Sequence, residues 1–328
     1  MKKALILGIT GQDGSYLAEI LLEKNYEVHG LVRRSATGNT RNIDHLIRSP
    51  DLYEKKLFLH RGDLADTTSI FKVINAVQPN EIYNEADQDH AGWSFSIIDY
   101  SLDITGGAVG RLLECVRQVN PKIKFFQPCT SNMFGRAKES PQTEATSYSP
   151  QSPYACAKVM AQLLCKHFRE AYGMFVSTAI FYNHESPRRI EEYVTRKITM
   201  SAARISLGIQ DKLILGDLSA EIDWGYAKEY MEAAWNILQL DVADDFIIAT
   251  GEKYSVWEFV KETFGILELD PEKYVVSDKK FFRPTTNVAL VGDSTKARKA
   301  FGFDPKIKFK GLVRLMVESD LKQLRNSY

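Results

Sequence analysis

Cysteine is scarce. The 328 residues carry four, Cys115, Cys129, Cys156 and Cys165, at spacings that match neither a zinc site nor a disulfide framework. That leaves reduced thiols, as a cytoplasmic chain keeps them, and no metal is expected. Charge of one sign is also lacking. Lysine plus arginine and aspartate plus glutamate number 42 each, so the overall balance gives no support to nucleic-acid binding. No apolar run reaches the ~18 residues of a membrane span. The apolar stretch 4–9 behind Met1-Lys2-Lys3 is broken at once by Gly11-Gln12-Asp13-Gly14, which argues against a signal peptide. Internal repeats and low-complexity segments are missing too. What is present is 44% hydrophobic residues, enough for a full core and for one or two domains.

The first half alternates short apolar strands (3–7, 26–32, 57–61, 81–84, 122–127, 175–181) with segments of helical periodicity (15–24, 67–77, 98–118, 154–172). Strand and helix in alternation imply an α/β fold of the Rossmann type, a doubly wound parallel sheet. Beyond about residue 184 the pattern becomes irregular, with helices expected near 194–207, 227–238 and 311–323. The expected division is a dinucleotide-binding domain over 1–183 and a smaller, mixed substrate domain over 184–328. Late strands at 212–216 and 245–250 are expected to return to the sheet.

The first strand runs into Gly8-Ile9-Thr10-Gly11-Gln12-Asp13-Gly14 and then into a helix. Glycines at that spacing allow a tight turn and close backbone approach, so a pyrophosphate can sit at the helix N-terminus. Gly8, Thr10, Gly11, Gln12, Asp13 and Gly14 are therefore expected at the cofactor. The second strand ends in Arg33-Arg34, where an NAD site usually places an acid for the ribose 2′-hydroxyl. Guanidinium groups suit a 2′-phosphate, which favours NADP over NAD. Asp63 and Leu64, after the third strand, are candidates for the adenine edge. Glu85, Ala86 and Gln88 follow the fourth strand at the same end of the sheet and are expected beside the cofactor.

Tyr154 and Lys158, at i, i+4, share one helix face. An ammonium beside a phenol favours the phenolate, which can take a proton from a hydroxyl whose carbon loses hydride to the cofactor. Thr130 and Ser131 close a parallel strand at its C-terminal end, where ligands of such sheets bind. A hydroxyl there can orient the substrate.

Together these motifs resemble the GDP-mannose 4,6-dehydratase family of extended short-chain dehydrogenases/reductases. The likeness covers almost the whole chain: GITGQDGSYL at 8–17, Arg33-Arg34-Ser35, Ser152-Pro153-Tyr154, NHESPRR at 183–189, VTRKI at 194–198, Asp223-Trp224-Gly225 and Arg283-Pro284-Thr285. It implies that His184 and Arg189 help hold NADP and that Tyr100 lies near the nicotinamide ribose. It also implies that Asn183, Lys197 and Arg283 face a nucleotide-sugar, with Arg283 on the pyrophosphate. The implied reaction oxidises C4, loses water across C5 and C6 and returns hydride at C6, giving a 4-keto-6-deoxy sugar. A homodimer or homotetramer is implied as well, with the 35–45 region available for an interface near the cofactor.

Three departures stand against the resemblance. The family has a glutamate two residues after the threonine, as the base for the C5 proton. Here that position is Asn132, whose carboxamide has no useful basicity. Asp87 and Asp89 replace small residues, and one of them (Asp89 above all) or His90 is a candidate relocated base, or they only cap the next segment. Glu221-Ile222 replaces a basic pair. Two enzymatic readings stay open: a nucleotide-sugar 4,6-dehydratase with an altered acid/base set, and a C4 dehydrogenase, reductase or epimerase that never eliminates water. A non-catalytic, cofactor-loaded subunit is a minor third.

Overall fold

The computed structural model describes residues 1–36, 38–281 and 288–326. Its centre is a parallel sheet whose strands are β1 (Lys3–Leu7), β2 (Glu27–Val32), β3 (Leu57–Arg61), β4 (Glu81–Asn84), β5 (Lys124–Thr130), β6 (Val176–Phe181) and a last edge strand, Asp245–Ile248. In space they run Asp245–Ile248, β6, β5, β4, β1, β2, β3. The order reverses between β1 and β4, and ligands of doubly wound sheets bind outside the C-terminal ends of the strands at such a point.

The strands read as near-continuous apolar runs because both faces are covered. On one face Leu17, Ile20 and Leu21 of helix α1 (Gln12–Glu23) pack with Tyr230, Ala234 and Ile237 of the helix Ala227–Gln239. On the other face Ile70 and Ile74 (helix Thr67–Val77), Leu112 and Val116 (helix Ala108–Val119) and Ala161 and Cys165 (helix Pro153–Tyr172) close a second core.

A third core sits away from the sheet. It gathers Ile198 and Ala202 (helix Val194–Ser206), Trp224, Phe259 and Val260 (helix Val256–Ile266) and Leu312, Val313 and Met316 (helix Phe309–Arg325). Of the two late strands, Asp245–Ile248 joins the sheet beside β6. Leu213–Leu215 does not: it pairs in parallel with Val275–Ser277 in a separate two-stranded sheet. Its three residues alternate buried, exposed, buried, the pattern of a strand covered on one face only. The long helix expected over 98–118 is interrupted. A π-helical turn, Leu102–Gly107, separates Ile98–Ser101 from Ala108–Val119. At Gly106 a Cβ would stand 3.1 Å from the Ala157 carbonyl oxygen, so the absence of a side chain lets this turn lie against the helix that carries Tyr154.

Candidate active site

A cavity of about 1020 Å³ opens at the C-terminal ends of the strands. Its cofactor end is built by the glycine loop. Gly8 takes a positive φ of 79°, and a Cβ there would stand 2.5 Å from the carbonyl oxygen of Glu85. A Cβ on Gly14 would stand 2.3 Å from the Gly8 carbonyl oxygen. Both positions accept only glycine, and they press the loop against β4 and α1. Helix α1 begins after Gly11 with no side chain capping its first turn, so its leading N–H groups are left to meet an anion. These features fit a dinucleotide pyrophosphate.

Gly8, Thr10, Gly11, Gln12, Asp13, Arg33, Asp63, Leu64, Glu85, Ala86 and Tyr100 all line the cavity. Gly14, Arg34 and Gln88 do not. Gly14 lies beneath the loop and shapes it. Arg34 is exposed outside the lining. The amide of Gln88 is consumed in the fold: it donates to the His90 carbonyl at 3.1 Å and accepts from the Ser101 hydroxyl at 2.9 Å. Arg33 reaches the Tyr100 hydroxyl at 3.2 Å. Neither Arg33 nor Arg34 pairs with a carboxylate among the described residues. Asn39, also in the lining, donates to the Thr10 hydroxyl at 3.3 Å, and Asn42 donates to the Thr10 carbonyl at 3.1 Å. Sequence reasoning missed both asparagines, because they sit in a polar connection with no periodicity.

The reacting end is carried by the helix Pro153–Tyr172. The Ser152 hydroxyl accepts from the Ala155 N–H at 3.2 Å and Pro153 occupies the first turn, which fixes where the helix starts. Tyr154 and Lys158 then face the cavity one turn apart. Lys158 donates to the Pro128 carbonyl on β5 at 2.9 Å, and its Nζ lies 5.7 Å from the Tyr154 ring centre. It also lies 2.6 Å from Asp87 Oδ2. Burial opposes the ammonium, but Asp87, Tyr154 and Cys129 together outweigh burial and keep Lys158 charged. Burial also raises the Tyr154 phenol. Lys158 pulls it back without offsetting burial, so the phenol stays protonated in this state of the site.

Thr130 lies at the end of β5 with its hydroxyl turned toward Asn132. The backbone N–H and the carboxamide of Asn132 both come within 3.3 Å of Thr130 Oγ1 as donors. With its lone pairs so used, the threonine hydroxyl is free to donate its own proton. Asp89 lines the cavity and lies 3.5 Å from Arg189, whose guanidinium is also 3.4 Å from Glu185 and stacks over Tyr193 at 3.5 Å. His90 lines the cavity and stacks on Trp93.

His184 bridges two elements. Its Nδ1 bonds the Tyr182 carbonyl and its Nε2 bonds Asp13 Oδ2, each at 2.9 Å. Both partners accept, so both ring nitrogens donate. Burial opposes the charge, but Asp13 and the Tyr182 carbonyl together outweigh it and raise the imidazole. Burial likewise works against the Asp13 carboxylate, and His184, Arg189 and Gln12 together hold it low. The ring is spent on the Tyr182 carbonyl and on Asp13 of the glycine loop, which it fixes in place.

Asn183 and Lys197 line the far end of the cavity. Lys197 has no carboxylate partner among the described residues, its Nζ lies 4.9 Å from the Phe281 ring, and burial lowers its ammonium. Glu221, also in the lining, pairs with Lys253. Arg283 lies outside the described residues.

A nicotinamide-cofactor enzyme of the extended short-chain dehydrogenase/reductase class is what this sheet, glycine loop and Tyr154–Lys158 pair define. Solved structures agree on the fold. The RMD protein of Pseudomonas aeruginosa complexed with NADPH superposes with a TM-score of 0.81 at 19% identity, covering 98% of this chain and 100% of that one. The dTDP-glucose 4,6-dehydratase DesIV of Streptomyces venezuelae, with NAD bound, gives 0.85 at 20% identity, covering 99% and 98%. The sequence then narrows the class. A family profile described as GDP-mannose 4,6 dehydratase matches residues 5–316. GDP-mannose 4,6 dehydratase 1 of Arabidopsis thaliana is 46% identical over 98% of this chain and 90% of its own length. The human GDP-mannose 4,6 dehydratase is 45% identical over 99% and 92%. The chain belongs to the GDP-mannose 4,6-dehydratase family.

Proposed function

We propose that the protein is an NADP-dependent nucleotide-sugar 4,6-dehydratase acting on a GDP-hexose of the GDP-mannose type. The observation that carries this reading is that the Tyr154–Lys158 pair lines the same cavity as the glycine loop and Lys197, whose ammonium has no carboxylate partner among the described residues.

Gly8, Gly11 and the first turn of α1 would hold the cofactor pyrophosphate, and Arg33 the ribose 2′-phosphate. A bound nicotinamide supplies hydride acceptance and return. Thr130 donates to the oxygen on C4 of the sugar and fixes its position. Tyr154 Oη takes the proton of that hydroxyl. Lys158, anchored on the Pro128 carbonyl, supplies positive charge beside the phenol. Lys197 meets the negative charge of the nucleotide diphosphate. C5 deprotonation falls to a carboxylate near the sugar, and Asp89, which lines the cavity with a half-exposed side chain, is the candidate.

A second reading rests on one observation. Asn132 meets Thr130 as a donor and cannot take a proton, and C4 oxidation, reduction or epimerisation needs only Thr130, Tyr154, Lys158 and the cofactor. Incubation with GDP-mannose and a panel of nucleotide-sugars, followed by mass spectrometry, separates the two. Loss of about 18 mass units is expected, the mass of one water. A product of unchanged mass, or one lighter by about two units, would replace the dehydratase by the redox reading. Tyr154→Phe is expected to abolish turnover under either reading, and full activity in that variant would remove Tyr154 from the mechanism. If Asp89→Asn leaves elimination intact, Asp89 is not the C5 base.

A further inference from the structure

Among the described residues, the two cations that act most on the Tyr154 phenol, Lys158 and Arg189, each have a carboxylate on them. From its own helix the phenol meets Lys158, which is 2.6 Å from Asp87. From the segment after the strand Asn183–Glu185 it meets Arg189, which is 3.5 Å from Asp89 and 3.4 Å from Glu185. Asp87 and Asp89 come from the segment after β4, and the other titratable groups of this cluster among the described residues include Tyr193, Glu85 on the same segment, and Cys129 on β5, the last two buried, with burial raising each of them.

We propose that Asp87 is a positioning residue of the Tyr154–Lys158 pair: its carboxylate takes up the charge of the ammonium, holds Nζ beside the Pro128 carbonyl, and so governs when the tyrosine can give up its proton. The inference rests on the reading of Tyr154 as the proton acceptor and adds a control over it.

The distances decide the sense of the effect. The ammonium lies 5.7 Å from the phenol ring centre and 2.6 Å from the carboxylate. Coulomb energy falls with separation, so the field that Lys158 projects onto the phenol is largely that of an ion pair rather than of a bare cation. Side-chain exposures of 5% for Lys158 and 13% for Asp87 leave little solvent to screen either charge. After burial and Lys158, Asp87 is the next strongest influence on the phenol, and it acts to keep it protonated. Asp87 is not interchangeable with Asp89. Removing Asp89 leaves Arg189 still matched by Glu185, whereas removing Asp87 takes away the one carboxylate in ion-pair contact with Lys158 among the described residues.

The test is a titration of the Tyr154 side chain in the whole chain labelled with 13Cζ-tyrosine. The resonance is assigned by its absence in Tyr154→Phe. The midpoint of Asp87→Asn is expected at least ~1 pH unit below that of the wild type, the size an uncompensated opposite charge at this distance produces. That is roughly a tenfold rise in phenolate at a given pH. Asp89→Asn is expected to move the midpoint less, and Asp87→Glu to restore it. Asp87→Ala serves if the asparagine variant does not fold. A midpoint common to wild type and Asp87→Asn, or a phenol that stays protonated in both up to alkaline unfolding, would overturn the proposal. Turnover is not used in this titration. Full activity of Tyr154→Phe would defeat the proton-transfer reading alone, and an unmoved midpoint would defeat the role of Asp87 alone.

Discussion

The arginine after β2 and the imidazole after β6 answer different questions at the cofactor. Arg33 lines the cavity with a neutral hydroxyl as its partner, so its charge is available to a 2′-phosphate. Arg33→Ala is expected to weaken NADP binding roughly tenfold or more while leaving NAD binding nearly unchanged, because a charge-assisted contact of this kind is worth about 1.5–3 kcal/mol. Calorimetric titration with each cofactor checks it, and an equal loss for both would place the contact elsewhere. His184 is a stability device. Its raised imidazole contributes stability that is complete below the ordinary histidine value near 6.5 and fades as pH rises through the raised one. Its partner Asp13, held low, contributes above the ordinary carboxylate value near 3.9 and fades as pH falls through the lowered one. The pair is therefore strongest between about pH 4 and 6.5. The stability lost in His184→Gln, by urea unfolding, is expected to be greater at pH 6 than at pH 9. Equal losses would show that the imidazole is uncharged in the fold.

Elements, more than single residues, explain what could be read in advance. The glycine loop was legible because a strand–turn–helix with glycines at that spacing leaves one physical use for Gly8 and Gly14: each lies where a Cβ would strike backbone. Gly14→Ala is expected to cost about 2 kcal/mol through forced displacement of the loop and to weaken cofactor binding, read by thermal unfolding with and without NADP. Undiminished stabilisation by the cofactor would show that the loop yields. The helix Pro153–Tyr172 was legible from Ser152-Pro153 and its apolar face. The π turn at Leu102–Gly107 was not, since Gly106-Gly107 carries no periodicity of its own and its shape is set by the helix it touches. Leu213–Leu215 read as a sheet strand because three apolar residues say nothing about which partner they will find. The helix Val256–Ile266 passed unnoticed despite its capping box of Ser255 and Glu258. The ion pairs of Asp87 and Asp89 were beyond sequence reach because their partners, Lys158 and Arg189, come from distant elements and depend on how the loops are folded back.

On the scale of the whole molecule, the third core is fastened to the site by a buried charge pair. Arg196 and Asp320 lie 2.8 Å apart with side-chain exposures of 4% and 0%. Asp320 also accepts from Thr199 at 2.7 Å, and Arg196 donates to the carbonyls of Pro187 and Arg189. The C-terminal helix thereby supports the segment that presents Arg189 to the cavity. Burial raises the Asp320 carboxyl to about 6. A carboxyl raised in the fold costs stability as pH climbs from its unfolded value near 4 toward 6. Asp320→Asn leaves Arg196 buried without its counter-charge and is expected to destabilise the protein by about 3 kcal/mol at pH 7.5, measured by denaturant unfolding. A loss under about 1 kcal/mol would show that the two carbonyls and the Gln323 carboxamide, 3.2 Å away, satisfy the guanidinium without Asp320.

The path of the chain has a practical side. It leaves the sheet after β6, builds most of the far wall of the cavity, and comes back only at Asp245–Ile248 to complete the sheet's edge before departing again. The main sheet and the third core are thus not built from consecutive stretches of chain. A chimera meant to import another relative's sugar specificity has to be spliced on both sides of that returning strand. A single crossover near residue 184 would instead ask a foreign strand to seal this protein's sheet.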